Sequence, residues 1–276
     1  MRVAAIYADS AGDGERAEAT YRRVLAIDEN DPELVLPAAR ALEAIYAASD
    51  RQAQLVEMLK VQVRLEPDVP ARSHLLGRLG ELCDTALGDR AGAIEAWRAR
   101  LEDDPQDPAA LAALDGLYER TEAWSELVGV IDRRRDAATD PAERRRLMTR
   151  GATVLATHLD SVADAIEAWR AVIAEFGADA ASLRALEGLL VRAERWEELP
   201  DVYEQHLQLV ESERDRVGVL VELGDLRRDH LHDVSGALDA YRTALAIDLT
   251  HQRSREALEQ LLDCEDHVTR REVAEV

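Results

Sequence analysis

Ala93-Ile94-Glu95-Ala96-Trp97-Arg98 is the stretch whose reading decides the fold. It returns as Ala165-Ile166-Glu167-Ala168-Trp169-Arg170, and again as Ala237-Leu238-Asp239-Ala240-Tyr241-Arg242. A looser copy, Ala17-Glu18-Ala19-Thr20-Tyr21-Arg22, stands near the front. Other positions keep the same 72-residue interval. Leu42, Leu114, Leu186 and Leu258 form one series, and Tyr46, Tyr118, Leu190 and Leu262 a second. Leu87, Leu159 and Leu231 form a third, and Trp124 and Trp196 a fourth, with Gln52 and Val268 at the equivalent places. Several independent series in one register define a structural repeat, in which each unit buries its apolar face against the next.

Capping residues divide the 72-residue unit into four helices. Helix one is expected after Asp68, Asp140 or Ser212, with Pro141 at a first helical position, where its missing N–H is harmless. Helix two is expected after Asp13, Asp89, Ser161 or Asp233, each eight residues before its aromatic. Helix three follows Asp31, Asp107 or Asp179, with Pro32 and Pro108 next. Helix four is expected after Ser49 or Thr121, Ser49 forming a capping box with Gln52 and Ser161 an acidic version with Asp164. Such close punctuation leaves short loops, so successive helices are antiparallel neighbours. Within helix two, Ala93, Trp97 and Leu101 share one face. The small Ala admits the neighbouring helix and the Trp fills the space beside it. The predicted core pegs are Tyr21, Trp97, Trp124, Trp169, Trp196 and Tyr241.

One irregularity interrupts the register. Tyr21 and Tyr46 are 25 residues apart, against 21 in the later copies. The extra four fall after Pro32 and amount to about one helical turn, which preserves the face. Pro37 predicts a kink or a short separate turn there, and Pro200 a similar disturbance in the fourth helix of the third unit. The units are expected at about 1–67, 68–139, 140–211 and 212–276. Residues 1–8 read as the tail of a cut first helix, and 265–276 as a degenerate capping helix.

The composition fits this scheme. Of the 276 residues, 47% are hydrophobic and 33% charged, and Phe occurs once, so the pattern is helical with no predicted strand. The net charge of -22 argues against free nucleic acid, whose phosphates need clustered cations; it reads first as a solubilising surface charge and second as a preference for a basic partner. Cys83 and Cys264 lie far apart in the repeat, which fits a reducing, cytoplasmic setting. No run of 18 apolar residues points to membrane insertion.

Helices one and two of the unit resemble the tetratricopeptide repeat. That family pairs Leu-Gly and a large residue on its first helix with small–x3–large on its second. Leu79-Gly80, Ala93, Trp97 and Pro105 match in the second unit, and Leu223-Gly224, Ala237, Tyr241 and Ala244 in the fourth. The third has Gly151-Ala152 in place of Leu-Gly, and Arg100 stands where a small residue is usual. Helices three and four match through Tyr118, with Leu127 at a normally small position. The resemblance implies an all-α solenoid of helix hairpins, a helical repeat array of bacterial type wound as a right-handed superhelix. It implies a scaffold that binds a protein or peptide in a concave groove lined by the first helix of each pair. Carried over, the groove positions are His74, Glu81 and Asp84, then Asp225, Arg228 and Asp229, a mostly acidic set. The Lys, Arg and Asn set that clamps a terminal carboxylate in well-known members is missing from these positions. A structural spacer or self-assembling segment of a larger repeat protein is the alternative, and homo-oligomerisation stays open. An enzyme built as a helical toroid around an acidic site is a third, weaker reading.

Nothing in the chain reads as a catalytic, metal or cofactor site. His230-Leu231-His232 lies at a helix junction, where residues two apart do not converge on an ion. Cys83 sits near the core, as a packed thiol does. Gly12-Asp13-Gly14 reads as a turn before a capped helix. If Trp97 and Trp169 are core pegs, truncating either to Ala lowers unfolding stability by about 3–5 kcal/mol. A loss under about 0.5 kcal/mol in chemical denaturation contradicts the assignment.

Overall fold

The computed structural model describes residues 14–27 and 29–261, an all-α array of helices joined by short turns. The chain divides after Ala137 into two compact units. The first holds α1 (Gly14–Leu25), α2 (Pro32–Ala48), α3 (Gln52–Leu65), α4 (Val69–Thr85), α5 (Arg90–Asp103), α6 (Pro108–Arg120) and α7 (Trp124–Ala137). The second holds α8 (Pro141–Thr157), α9 (Val162–Phe176), α10 (Ala180–Arg192), α11 (Leu199–Leu209), α12 (Glu213–Asp229), α13 (Val234–Ile247) and α14, described over 252–261. Within each unit a helix packs chiefly on its neighbours in sequence. The Asp13 cap, residues 1–8, Leu262, Cys264 and the 265–276 stretch lie outside the described residues.

Side-chain caps start most of these helices. Asp68 accepts from the Ala71 N–H at 3.0 Å, Asp89 from Gly92 at 2.9 Å and Asp233 from Gly236 at 2.9 Å. Asp31 and Asp140 cap α2 and α8, and Ser212 caps α12. Asp107 accepts from both Ala109 and Ala110, and Asp179 forms a full capping box with Ser182. Each takes up backbone donors that the first turn leaves free.

Two expected boxes do not form. Ser161 bonds the Asp164 side chain at 2.8 Å and leaves the backbone of α9 uncapped by side chains. Ser49 and Thr121 belong to the helices before them. Their hydroxyls donate back to the Ile45 carbonyl at 2.6 Å and the Leu117 carbonyl at 2.8 Å. Gln52 bonds Asp50. The reason is the turn that follows. Asp50, Glu122 and Glu194, 72 residues apart, all take the left-handed conformation, with φ of 54°, 56° and 55°. That reversal lets the next N–H reach back five residues, closing Arg51 on Tyr46, Ala123 on Tyr118 and Arg195 on Leu190 at 2.9–3.0 Å. A second set, Gly88, Asp160 and His232, reverses the chain between helices one and two, with φ of 65°, 52° and 55°, and the next N–H there reaches back six residues. Leu87, one residue earlier, is 41% exposed, so the Leu87 series marks a turn more than a core layer.

The inserted turn is helical. α2 has 17 residues, whereas α6 and α10 have 13 each. α2 runs through Pro37 without a separate turn. The carbonyl that loses its partner there is Glu33, in the first turn, where the chain still reaches solvent. Pro200 does disturb its helix: a 3₁₀ turn, Trp196–Glu198, precedes a shortened α11.

The closest approach within a hairpin is between a glycine of helix one and an aromatic of helix two. A Cβ on Gly224 would lie 2.6 Å from Tyr241 Cε1, and one on Gly80 would fall on Trp97 Nε1. At the same register in the third unit stands Ala152, buried in one cluster with Trp169. Trp97, Trp169, Tyr21 and Tyr241 are all buried. Trp124 and Trp196 are half-buried at the rim, and Trp196 stacks on the His230 ring with centroids 3.7 Å apart.

The left-handed turns give a direct test. A non-glycine residue there costs about 1–2 kcal/mol, and Gly is free of that cost but loses some chain entropy. Glu122→Gly is therefore expected to raise unfolding stability by about 0.5–1 kcal/mol, and Gly88→Ala to lower it by about 1 kcal/mol. Opposite signs in urea titrations would contradict the turn assignment.

Candidate functional site

The six groove positions fall in two groups, one in each compact unit. His74, Glu81 and Asp84 lie on α4, and Asp225, Arg228 and Asp229 on α12. His74 and Glu81 are exposed. Asp84 is bound by Arg120 at 2.5 Å. Asp225 accepts the Tyr241 hydroxyl at 2.7 Å and is also paired with Arg228 and Arg253. Arg228 grips Asp229 with two bonds of 2.6 and 2.8 Å and lies 5.9 Å from the Tyr241 ring centroid. That grip holds the Asp229 carboxyl below its ordinary range, while burial and the Asp225 bond push the Tyr241 hydroxyl up. Asp225 and Asp229 are thus matched by guanidinium groups of the same chain.

The larger feature of the second unit was not legible from the repeat motif. A cleft of about 620 Å³ runs between α10 and α12, with α11 beneath. Arg184, Val191, Tyr203, Arg214 and Glu222 are among its walls. A second cleft of about 750 Å³ lies on the other side of the α12 N-terminus, against Ile247 and His251. Arg214 and Gly218 line both. Gly188 and Gly218 open the first: a Cβ added at either meets nothing within 4 Å. Val191 stands 42% exposed on the rim.

One wall of that cleft is a buried polar pair. His206 Nδ1 lies 2.7 Å from Glu187 Oε1, and His206 is 2% exposed. Its Nε2 is buried without a hydrogen-bond partner. Burial pushes the Glu187 carboxyl above its ordinary value, against the lowering effect of His206. Burial, with Glu222 and Glu187 close by, also raises the Tyr203 hydroxyl. The pair has counterparts at the 72-residue interval. Gln62 donates to Glu43 at 2.6 Å, and Arg134 pairs with Asp115. In each case an acid on the first helix of a hairpin meets a donor 19 residues later on the second. The signal was present in the sequence, as Glu43, Asp115 and Glu187 share a register. It was hidden because the donor changes identity in every copy.

The first unit has a smaller cleft, of about 380 Å³, on α5, α6 and α7, beside Tyr118. Cys83 is fully buried, and burial raises its thiol, the opposite of what a nucleophile requires. Among the described residues, no three His, Cys, Asp or Glu side chains group to hold a metal ion. No described helix is long and apolar enough to cross a membrane.

Comparison with known proteins agrees with this architecture. The family model described as "Tetratricopeptide repeat" matches residues 182–217, which take in most of α10, all of α11 and the start of α12. The Caenorhabditis elegans protein "BBSome complex member bbs-4" is 31% identical over 98 residues. That match covers 36% of this chain and 20% of the relative's length. Among solved structures, YrrB, a TPR protein with an unusual peptide-binding site, aligns at 14% identity with a TM-score of 0.40 over 68% of this chain and 92% of its own. A TPR repeats protein of Bacteroides fragilis aligns at 12% identity with a TM-score of 0.47, covering 70% and 98%. The 72-residue register, the Gly–aromatic hairpins and the family match together identify the chain as a tetratricopeptide-like helical repeat protein.

Proposed function

We propose that the chain is a protein-binding scaffold, and that its second unit seats a segment of a partner protein along α12, between α10 and the turn after α13. The observation that carries this reading is the pair of clefts that flank the α12 N-terminus, both lined by Arg214 and Gly218. Two neighbouring open clefts suit a chain segment better than a small molecule, which is usually largely enclosed. Its lining is mixed in sign, with Arg184 and Arg214 set against Asp215 and Glu222, and Val191 and Val219 give it apolar footing. The segment recognised there combines apolar anchors with both charges. A relative that belongs to a multi-protein complex is in keeping with a scaffold role. We assign no catalytic role to any residue.

Gly188 and Gly218 test the reading, because filling them obstructs the furrow without touching the core. Peptides are selected from a random displayed library on the native chain, then titrated against Gly188→Leu and Gly218→Leu. Each variant is expected to keep or raise its melting temperature, since Gly inside a helix costs about 1 kcal/mol. Each is expected to weaken the selected peptides at least about tenfold, or about 1.4 kcal/mol. Peptides that bind both variants as tightly as the native chain would place the binding surface elsewhere.

A further inference from the structure

We propose that the cleft beside Tyr118 in the first unit is a socket for an arginine side chain of a partner protein. The argument comes from the turn that ends each third helix. Its last residue is Arg51 in the first repeat, Ala123 in the second and Arg195 in the third. In the first repeat, the Arg51 guanidinium lies 4.6 Å from the Tyr46 ring centroid and bonds both oxygens of Glu18, at 3.0 and 2.7 Å. Arg22 completes the group, donating to the Tyr46 hydroxyl at 3.0 Å and pairing with Glu18. The Arg51 bond holds the buried Glu18 carboxyl below its ordinary range. In the third repeat, Arg195 and Arg170 share the Glu198 carboxylate, with Arg195 Nη2 at 2.9 Å. Both repeats thus bring two guanidinium groups to one carboxylate, and in the third Arg170 also reaches Glu167 at 3.3 Å.

The second repeat combines the ring of the first repeat with the carboxylate of the third, and lacks that arginine. Arg98 stands at the register of Arg22 and Arg170, Tyr118 at that of Tyr46, and Glu126 at that of Glu198. The turn residue is Ala123, and a cleft of about 380 Å³ opens beside these three side chains. Glu102 and Arg133 complete its charged lining. Among the described residues, none of these four charged side chains forms an ion pair or side-chain hydrogen bond. Two cations face two carboxylates there, and the register position that carries a guanidinium in the other two repeats is Ala123. A guanidinium fits better than an ammonium, because it stacks flat on Tyr and bonds a carboxylate with two parallel N–H groups. The chain's net charge of -22 favours approach of a cationic segment. This socket is separate from the furrow of the second unit, and neither reading depends on the other.

The probe is the tripeptide acetyl-Gly-Arg-Gly-amide, titrated into the isotope-labelled chain and followed by amide chemical shifts, with acetyl-Gly-Lys-Gly-amide as the control. The expected result is saturable shifts at Tyr118 and Glu126, with the lysine peptide at least fivefold weaker. Ala123→Arg restores the sibling arrangement, so it is expected to fold and to abolish the response. Glu126→Gln, at an exposed side chain, is expected to weaken it at least fivefold with an unchanged melting temperature. The proposal is overturned by absence of saturable shifts at these amides, by an equal response to the lysine peptide, or by undiminished binding in Glu126→Gln or in a folded Ala123→Arg.

Discussion

The contact on which the rest depends is the approach of a helix-one glycine to a helix-two aromatic ring. At Gly80 and Gly224 the ring occupies the space that a side chain would need. This brings two helices close enough for the ring to be sealed by backbone, and that burial supplies much of what a lone hairpin lacks. Everything else is arranged around it. The acidic cap of helix two sets where the helix begins, eight residues before the ring. The left-handed residues at Gly88, Asp160 and His232 turn the chain so that the ring faces the glycine's helix. The third repeat shows the tolerance of the device, since Ala152 packs in one cluster with Trp169.

Once that frame is repeated, the repeats differ where the frame does not need them to agree. The polar pair of each third-to-fourth helix contact is Glu43 with Gln62, then Asp115 with Arg134, then Glu187 with His206. Each pair satisfies at least one buried polar side chain, so the packing is preserved while the charge balance changes from copy to copy. Only the third leaves a buried ring nitrogen, His206 Nε2, without a partner at the wall of a cleft. The residue closing the third-to-fourth turn varies in the same way, as Arg51, Ala123 and Arg195. A repeat that needs no particular residue at a position is free to use that position for recognition.

The frame was legible in the sequence because it rests on spacing. A 72-residue interval in Leu, Trp and Asp positions gives helix number, helix order and most caps without any knowledge of packing. The misread caps, Ser49 and Thr121, failed for a physical reason: Ser and Thr also close helices by bonding back to a carbonyl. The cue that decides between the roles was Asp50, Glu122 and Glu194, since left-handed residues are hard to see when they are not Gly or Asn. The binding furrow was less legible than the frame. His74, Glu81 and Asp225 come from motif offsets, whereas the clefts depend on which side chains stay small, such as Gly188 and Gly218, and on which acids are already claimed by arginines.

The most direct test of the central contact is a double-mutant cycle on Gly80 and Trp97, read by urea unfolding. In the native chain, Gly80→Ala places a methyl against the indole and is expected to lower stability by about 1–3 kcal/mol. In a Trp97→Leu background the same change should raise stability by up to about 1 kcal/mol, because only the helix preference for Ala over Gly remains. A reversal of sign between the two backgrounds is the result the account predicts. An equal effect of Gly80→Ala with and without the indole would contradict it.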